Sequence, residues 1–168
     1  RRAPGGPCAQ KPGESRAVTA WGDVDLPAPQ PMPVTIPGHL FGTMPFYDVL
    51  ETDEMVVVDL HNRPDLINVR GALQGGLVAT LIDVAAGRLA FAIADRGAGV
   101  GTADMTIHYL APIIEGPARA VATLVRKGRR SVVVAVDVLD VGRERLAARA
   151  TLSFAILTPR PDQAETTP

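Results

Sequence analysis

Residues 75–94, GGLVATLIDVAAGRLAFAIA, constrain this chain more than any other stretch. Nearly every position is apolar, and Leu77, Leu81, Val84, Ala85, Leu89 and Ile93 recur at roughly helical spacing. A helix that is apolar nearly all round must be wrapped by protein on most sides, because a single buried face would leave Ile82, Phe91 and others in water. The rest of the chain supplies the wrapping. After DRGAG come TADMTIHYL, ARAVATLVRK, RSVVVAVDVLD and RLAARATLSFAIL, divided by the turn signals GP, KGR and VGRE. Ala118, Ala120, Ala122 and Leu124 alternate with Arg119, Val121, Thr123 and Val125, and Val132, Val134, Val136 and Val138 form one row, so period two dominates. Ahead of the helix MVVVDL reads as a strand, with FYDVL as one helical turn leading into it. The economical solution is an α+β fold: a long central helix wrapped by a curved antiparallel β-sheet whose last four strands meander. A long valine-rich edge strand would invite pairing with a second copy, so a dimer with a continuous sheet is expected.

The 168 residues suffice for one domain with a core that needs no disulfide. Eight of the 15 prolines fall in the first 40 residues. Residues 1–36 therefore read either as a flexible proline-rich tail or as an arm packed along the domain through Trp21, Val34 and Ile36. Residues 37–160 form the folded domain, and 161–168 a short flexible tail. The single cysteine, Cys8, cannot close an internal disulfide. The net charge of -1, with basic and acidic residues interspersed, argues against nucleic acid as a partner. No secretory signal pattern and no run of 18 or more apolar residues is present, so a soluble, cytoplasmic protein without a membrane partner is expected.

Asp83 stands in the middle of the apolar helix, where an ionised carboxylate costs several kcal/mol unless it is hydrogen-bonded or faces a cleft. It is either a structural acid, set against Arg88 or a backbone donor, or a carboxylate placed within reach of an electrophile. Just upstream, Asn68 and then Gln74-Gly75-Gly76 bring two amides and a glycine pair to the helix start. Free N–H groups there can hold an oxyanion, although capping and a tight turn would also explain them. Gly75 and Asp83 are eight residues apart, roughly 12 Å along a helix axis, so one carbonyl cannot touch both. If both serve one reaction, a second subunit supplies one of them. Arg126, Lys127, Arg129 and Arg130 crowd a hairpin, either as a solvated turn or as a small phosphate-binding patch. His39, His61 and His108 have no ligand-spaced neighbours, so no metal site is expected.

Asn68, Gln74-Gly-Gly, Asp83 within the long apolar helix, Thr102-Ala-Asp-Met-Thr-Ile-His-Tyr-Leu-Ala-Pro112 and RKGRR before a valine-rich strand together resemble the hot-dog-fold acyl-CoA thioesterases of the PaaI-like group, over about residues 50–157. The resemblance implies hydrolysis of an acyl-CoA thioester to the free acid and coenzyme A, in a site between subunits of a dimer or a dimer of dimers. No cofactor is implied, since coenzyme A is part of the substrate. Asp83 matches the catalytic carboxylate, acting as nucleophile or general base. Gly75 matches the residue whose N–H polarises the thioester carbonyl, Asn68 an amide that orients water or thioester, and Thr102 a hydroxyl near the attacking water. Gln74 and Gly76 would contact the substrate, and Arg126, Lys127, Arg129 and Arg130 the coenzyme A phosphates. The family usually has His-Gly-Gly where this chain has Gln74-Gly-Gly, and Gln74 can hydrogen-bond but not titrate. Ala85, Ala86, Ala90 and Ala92 are expected to leave room for an aromatic or medium-length acyl group. The competing reading is a non-catalytic acyl-CoA-binding or structural hot-dog dimer, with Asp83 a buried structural acid.

Overall fold

The computed structural model describes residues 25–157; Cys8, Trp21 and the terminal residues 161–168 lie outside them. The elements run β1 (Gln30–Pro31), β2 (Phe46–Glu51), β3 (Met55–Leu60), α1 (Gly75–Ile93), β4 (Gly99–Tyr109), β5 (Ala118–Lys127), β6 (Ser131–Asp140) and β7 (Arg145–Leu157). One seven-stranded sheet has the order β1-β2-β3-β5-β6-β7-β4, with every pair antiparallel.

The helix lies in the hollow of this sheet, as its apolar sequence requires. Val78, Leu81, Ile82, Ala85, Ala86, Leu89 and Ala90 form its buried face. They meet Val56, Val58 and Leu60 of β3, the alanines of β5 and the valine row of β6. Leu81, Ile82 and Leu89 are fully buried, each contributing about 1.5–3 kcal/mol. Small residues on both sides, Ala85 and Ala86 against Ala118, Ala120 and Ala122, let helix and sheet approach closely.

Four expectations change. The wrapping is incomplete: Ile82 is buried, but Phe91 is 64% exposed, so the sheet leaves one stripe of the helix open. The last four strands are not a simple meander, because β4 pairs with β7 and not with its successor β5. The long edge is consequently β4, with sequence GVGTADMTIHY, while the valine-rich β6 sits between β5 and β7. Phe46–Glu51 is a strand throughout, and the helical turn lies upstream, a 3-10 turn at Leu40–Thr43 whose start is capped by His39 Nδ1 accepting the Phe41 N–H. Within the proline-rich segment, Gln30 and Pro31 pair with Asp48 and Tyr47 of β2, and Met32 packs against the core.

Two carboxylates are buried without belonging to the open stripe. Asp59 on β3 faces its register partner Arg119 on β5, which donates two hydrogen bonds of 2.7 Å to it. Asp140 at the end of β6 accepts the N–H groups of Ile114, Glu115 and Gly116, holding the connection between β4 and β5. Both are structural, being fully saturated by fixed donors.

Candidate active site

The open stripe of α1 carries Asp83, which is half-buried. Its partner is Thr102 on β4, whose hydroxyl donates to Asp83 Oδ1 at 2.9 Å. Arg88 is not its counter-ion. That guanidinium donates instead to Asp48 and Glu51 on β2. Burial pulls the Arg88 pKa down, but the two carboxylates outweigh it and hold the group above the ordinary arginine value. Asp83 therefore has one neutral hydroxyl as its hydrogen-bond partner, on a stripe it shares with Arg88, and its Oδ2 accepts no hydrogen bond among the described residues.

Gly75 opens the helix, with Gln74 as an N-cap that makes no side-chain capping bond. Among the described residues the Gly75 and Gly76 N–H groups have no hydrogen-bond partner, and a Cβ on Gly76 would meet nothing within 4 Å. These are the free donors that a helix N-terminus offers to an oxyanion. Tyr109, which sequence reasoning passed over, fixes this end: its hydroxyl donates to the Gly75 carbonyl at 2.9 Å. Its ring lies 3.6 Å from where a Gly75 Cβ would stand. The signal available in the sequence was an aromatic at the end of an otherwise alternating strand.

Thr102 and Tyr109 both face α1 although seven positions separate them. In a regular strand an odd separation puts two side chains on opposite faces. Between Thr102 and Asp104 the register against β7 shifts by one residue. This bulge resets the alternation, so Val100 and Thr102 point inward before it, and Ile107 and Tyr109 after it.

Asn68 shapes the turn ahead of the helix. Its Oδ1 accepts the N–H groups of Arg70 and Ala72, at 2.8 and 3.3 Å, so this carbonyl builds the turn leading to the helix and only the side-chain NH2 remains to meet a substrate. The basic residues Arg126, Lys127, Arg129 and Arg130 are exposed on the β5–β6 hairpin. Lys127 Nζ lies 3.2 Å from Asp95, just past the end of α1, which puts the hairpin beside the C-terminal end of the helix. From Asp83 that is twelve residues, about 18 Å along the axis. The structure thus brings Asp83 and Thr102 together and leaves Gly75 about 12 Å away on the same helix. Ala85, Ala86 and Ala90 turn toward the sheet, so they do not provide the room expected of them beside Asp83. No group of three or more metal-ligating side chains occurs among the described residues.

Residues 70–147 match the family described as the Thioesterase superfamily. Over 101 residues the chain is 30% identical to an esterase-named protein of Saccharolobus solfataricus, covering 60% of this chain and 71% of that relative. A thioesterase family protein of Silicibacter pomeroyi shares the fold, with a TM-score of 0.68 at 24% identity over 71% of this chain and 90% of that one. A protein of Bacillus halodurans solved with CoA is 32% identical over 60% of this chain and 66% of its own, with a TM-score of 0.57.

Proposed function

The chain belongs to the thioesterase superfamily, and from that premise we propose that it hydrolyses acyl-CoA thioesters in a site shared by two copies of itself. The observation that carries the reading is the pairing of a half-buried carboxylate, Asp83, with the Thr102 hydroxyl on the open stripe of the helix. A water held there gives its proton to the free oxygen of Asp83 while its own oxygen attacks the thioester carbonyl carbon. The negative charge that develops on the carbonyl oxygen needs fixed donors, and the free N–H groups of a helix start at Gly75 supply them. The intermediate then collapses, the carbon–sulfur bond breaks, and the proton passes to the coenzyme A sulfur. The reaction asks for no metal or redox cofactor.

The 12 Å between Asp83 and Gly75 requires the N–H donor to come from a second copy. β4 offers the means, since its outer edge is unpaired among the described residues and it touches both ends of the site. If β4 pairs antiparallel with its own copy about a two-fold axis at Thr106, the bulge at Ala103 lets residue 102 of one chain come opposite residue 109 of the other. Tyr109 of the partner subunit then delivers the partner's Gly75 to Asp83. The exposed arginines at the far end of α1 suit the coenzyme A phosphates, and a CoA-containing relative supports that choice of thiol.

The test is release of free thiol from a panel of acyl-CoAs, run beside simple oxygen esters and with light scattering on the same samples. Thiol release by a species of two or four chain masses is expected. Turnover of oxygen esters alone, or full activity from a monomer, would overturn the reading.

A further inference from the structure

The open stripe of α1 carries Asp83, Val84, Gly87, Arg88 and Phe91, positions whose spacing places them on one helix face. With Met32, Phe41 and Glu51 from the chain ahead of the helix they line an open groove of about 470 Å³. It begins at Asp83 and follows the helix for eight residues, roughly 12 Å, toward Phe91.

The chemistry of this groove is set by two features. Its walls are apolar: Met32 and Phe41 on one side, Val84 and Phe91 on the other. Its one cation is already spoken for, because Arg88 pairs with Asp48 and Glu51 together. Three carboxylates, counting Asp83, thus stand against a single guanidinium, and the surroundings carry a formal charge of -2.

We propose that this groove receives the acyl group of the substrate, that the acyl group is uncharged and apolar, and that the Asp48–Arg88–Glu51 cluster turns away acyl groups ending in a carboxylate. The proposal rests on the thioester-hydrolase reading above. A carboxylate entering here would gain no free guanidinium and would face like charge. An alkyl or aryl group gains the burial that the four apolar walls offer. Met32, Phe41 and Glu51 of this groove, and Asp48 beside it, precede the 70–147 stretch that matches the family, whereas Val84, Arg88 and Phe91 lie within it.

Octanoyl-CoA and suberyl-CoA, of equal chain length and differing in a terminal carboxylate, make the test. The wild type is expected to favour octanoyl-CoA by about 100-fold in kcat/KM, and the double variant Asp48→Asn, Glu51→Gln, which frees the Arg88 charge, to narrow that ratio about tenfold. Phe91→Ala alters an exposed position, so the fold is not at stake, and should lower the ratio of octanoyl-CoA to acetyl-CoA turnover about tenfold. Equal use of the two eight-carbon thioesters by the wild type overturns the proposal, as does a ratio that none of these variants moves. If no CoA thioester is turned over, hydrolysis is refuted instead, and calorimetry with the octyl and carboxyheptyl thioethers of coenzyme A tests the groove alone. Tighter binding of the octyl compound supports the assignment, and equal or absent binding refutes it.

Discussion

Replacing Asp83 by asparagine separates its chemistry from its packing. The amide has the same shape, and its oxygen can still accept the Thr102 hydroxyl, which lies 2.9 Å from Oδ1 in the wild type. It cannot take a proton from water. Loss of a positioned general base costs about 10²–10⁴ in rate, or about 2.7–5.4 kcal/mol at about 1.36 kcal/mol per decade. Stability should move the other way or not at all. The carboxylate is half-buried with a single neutral hydrogen-bond partner, so removing its charge relieves desolvation and changes folding by no more than about 1 kcal/mol. Thr102→Val keeps the charge and removes the group that orients it. A hydrogen bond to a charged group contributes about 1.5–3 kcal/mol in a closed site, and solvent at this one reduces that to about 1 kcal/mol, a five- to tenfold loss in kcat. Because both variants act on one interaction, the double variant should be no slower than Asp83→Asn alone. Thiol release read with a thiol-reactive dye, and urea unfolding on the same preparations, give both axes. An Asp83→Asn protein that keeps more than about a tenth of wild-type kcat/KM removes Asp83 from the base role.

The buried pair on the outer face of the sheet predicts a purely structural phenotype: Arg119→Ala leaves Asp59, 1% exposed, without its counter-ion and should cost about 3 kcal/mol in urea unfolding. Asp59→Leu combined with Arg119→Met should recover most of that loss. Hydrogen bonding to Asp59 raises the Arg119 guanidinium above its ordinary value against a smaller opposing effect of burial. Its contribution is therefore complete below the unfolded-state pKa and lost only as pH rises through the higher folded value, so the stability gap to Arg119→Ala should stay flat from neutrality into mild alkali. Gly116 has φ 64°, and a Cβ there would stand 2.9 Å from the Asn62 side chain, so Gly116→Ala should cost about 2 kcal/mol in a thermal melt. Replacing Arg129 and Arg130 together by alanine should raise KM roughly tenfold while changing kcat much less, since these residues would grip phosphates remote from the reacting carbon.

Period-two and helical spacing mark which face of an element is buried, and on that question the sequence was legible. The valine row of β6 and Leu81, Ala85 and Leu89 of α1 lie where their patterns place them, whereas Val84 of the same helical row stands on the open stripe and Ile82, off that row, is buried. Periodicity carries no information about which strand is a neighbour. For that reason β4 reads as the partner of β5 but sits beyond β7, and the exposed edge belongs to a strand with few valines. Long-range partners of charge were equally out of reach. Arg88 looks like the nearest cation to Asp83, yet its partners Asp48 and Glu51 come from 40 and 37 residues away. Asp59 did leave a trace, as the single acid in MVVVDL, the pattern of a carboxylate buried with a fixed partner, whereas Asp140 shares its strand with Asp137 and nothing in the sequence separates the two.

The site itself depends on one inserted residue. Asp83 and Gly75 lie on a single rigid helix, so nothing within the chain can bring them closer than their spacing allows. What can be adjusted is the strand that accompanies them. Without the shift near Ala103, a β4 that turned Thr102 toward Asp83 would turn Tyr109 away from Gly75, and the helix start would lose the ring that holds it. With it, one strand reaches Asp83 through Thr102 at one end and the Gly75 carbonyl through Tyr109 at the other, while its outer edge has no strand partner among the described residues. Under the proposed pairing along that edge, the two ends would be exchanged between subunits. Two half-sites that cannot act alone would thereby become two whole ones, which gives a physical reason for the β4 edge that is unpaired among the described residues.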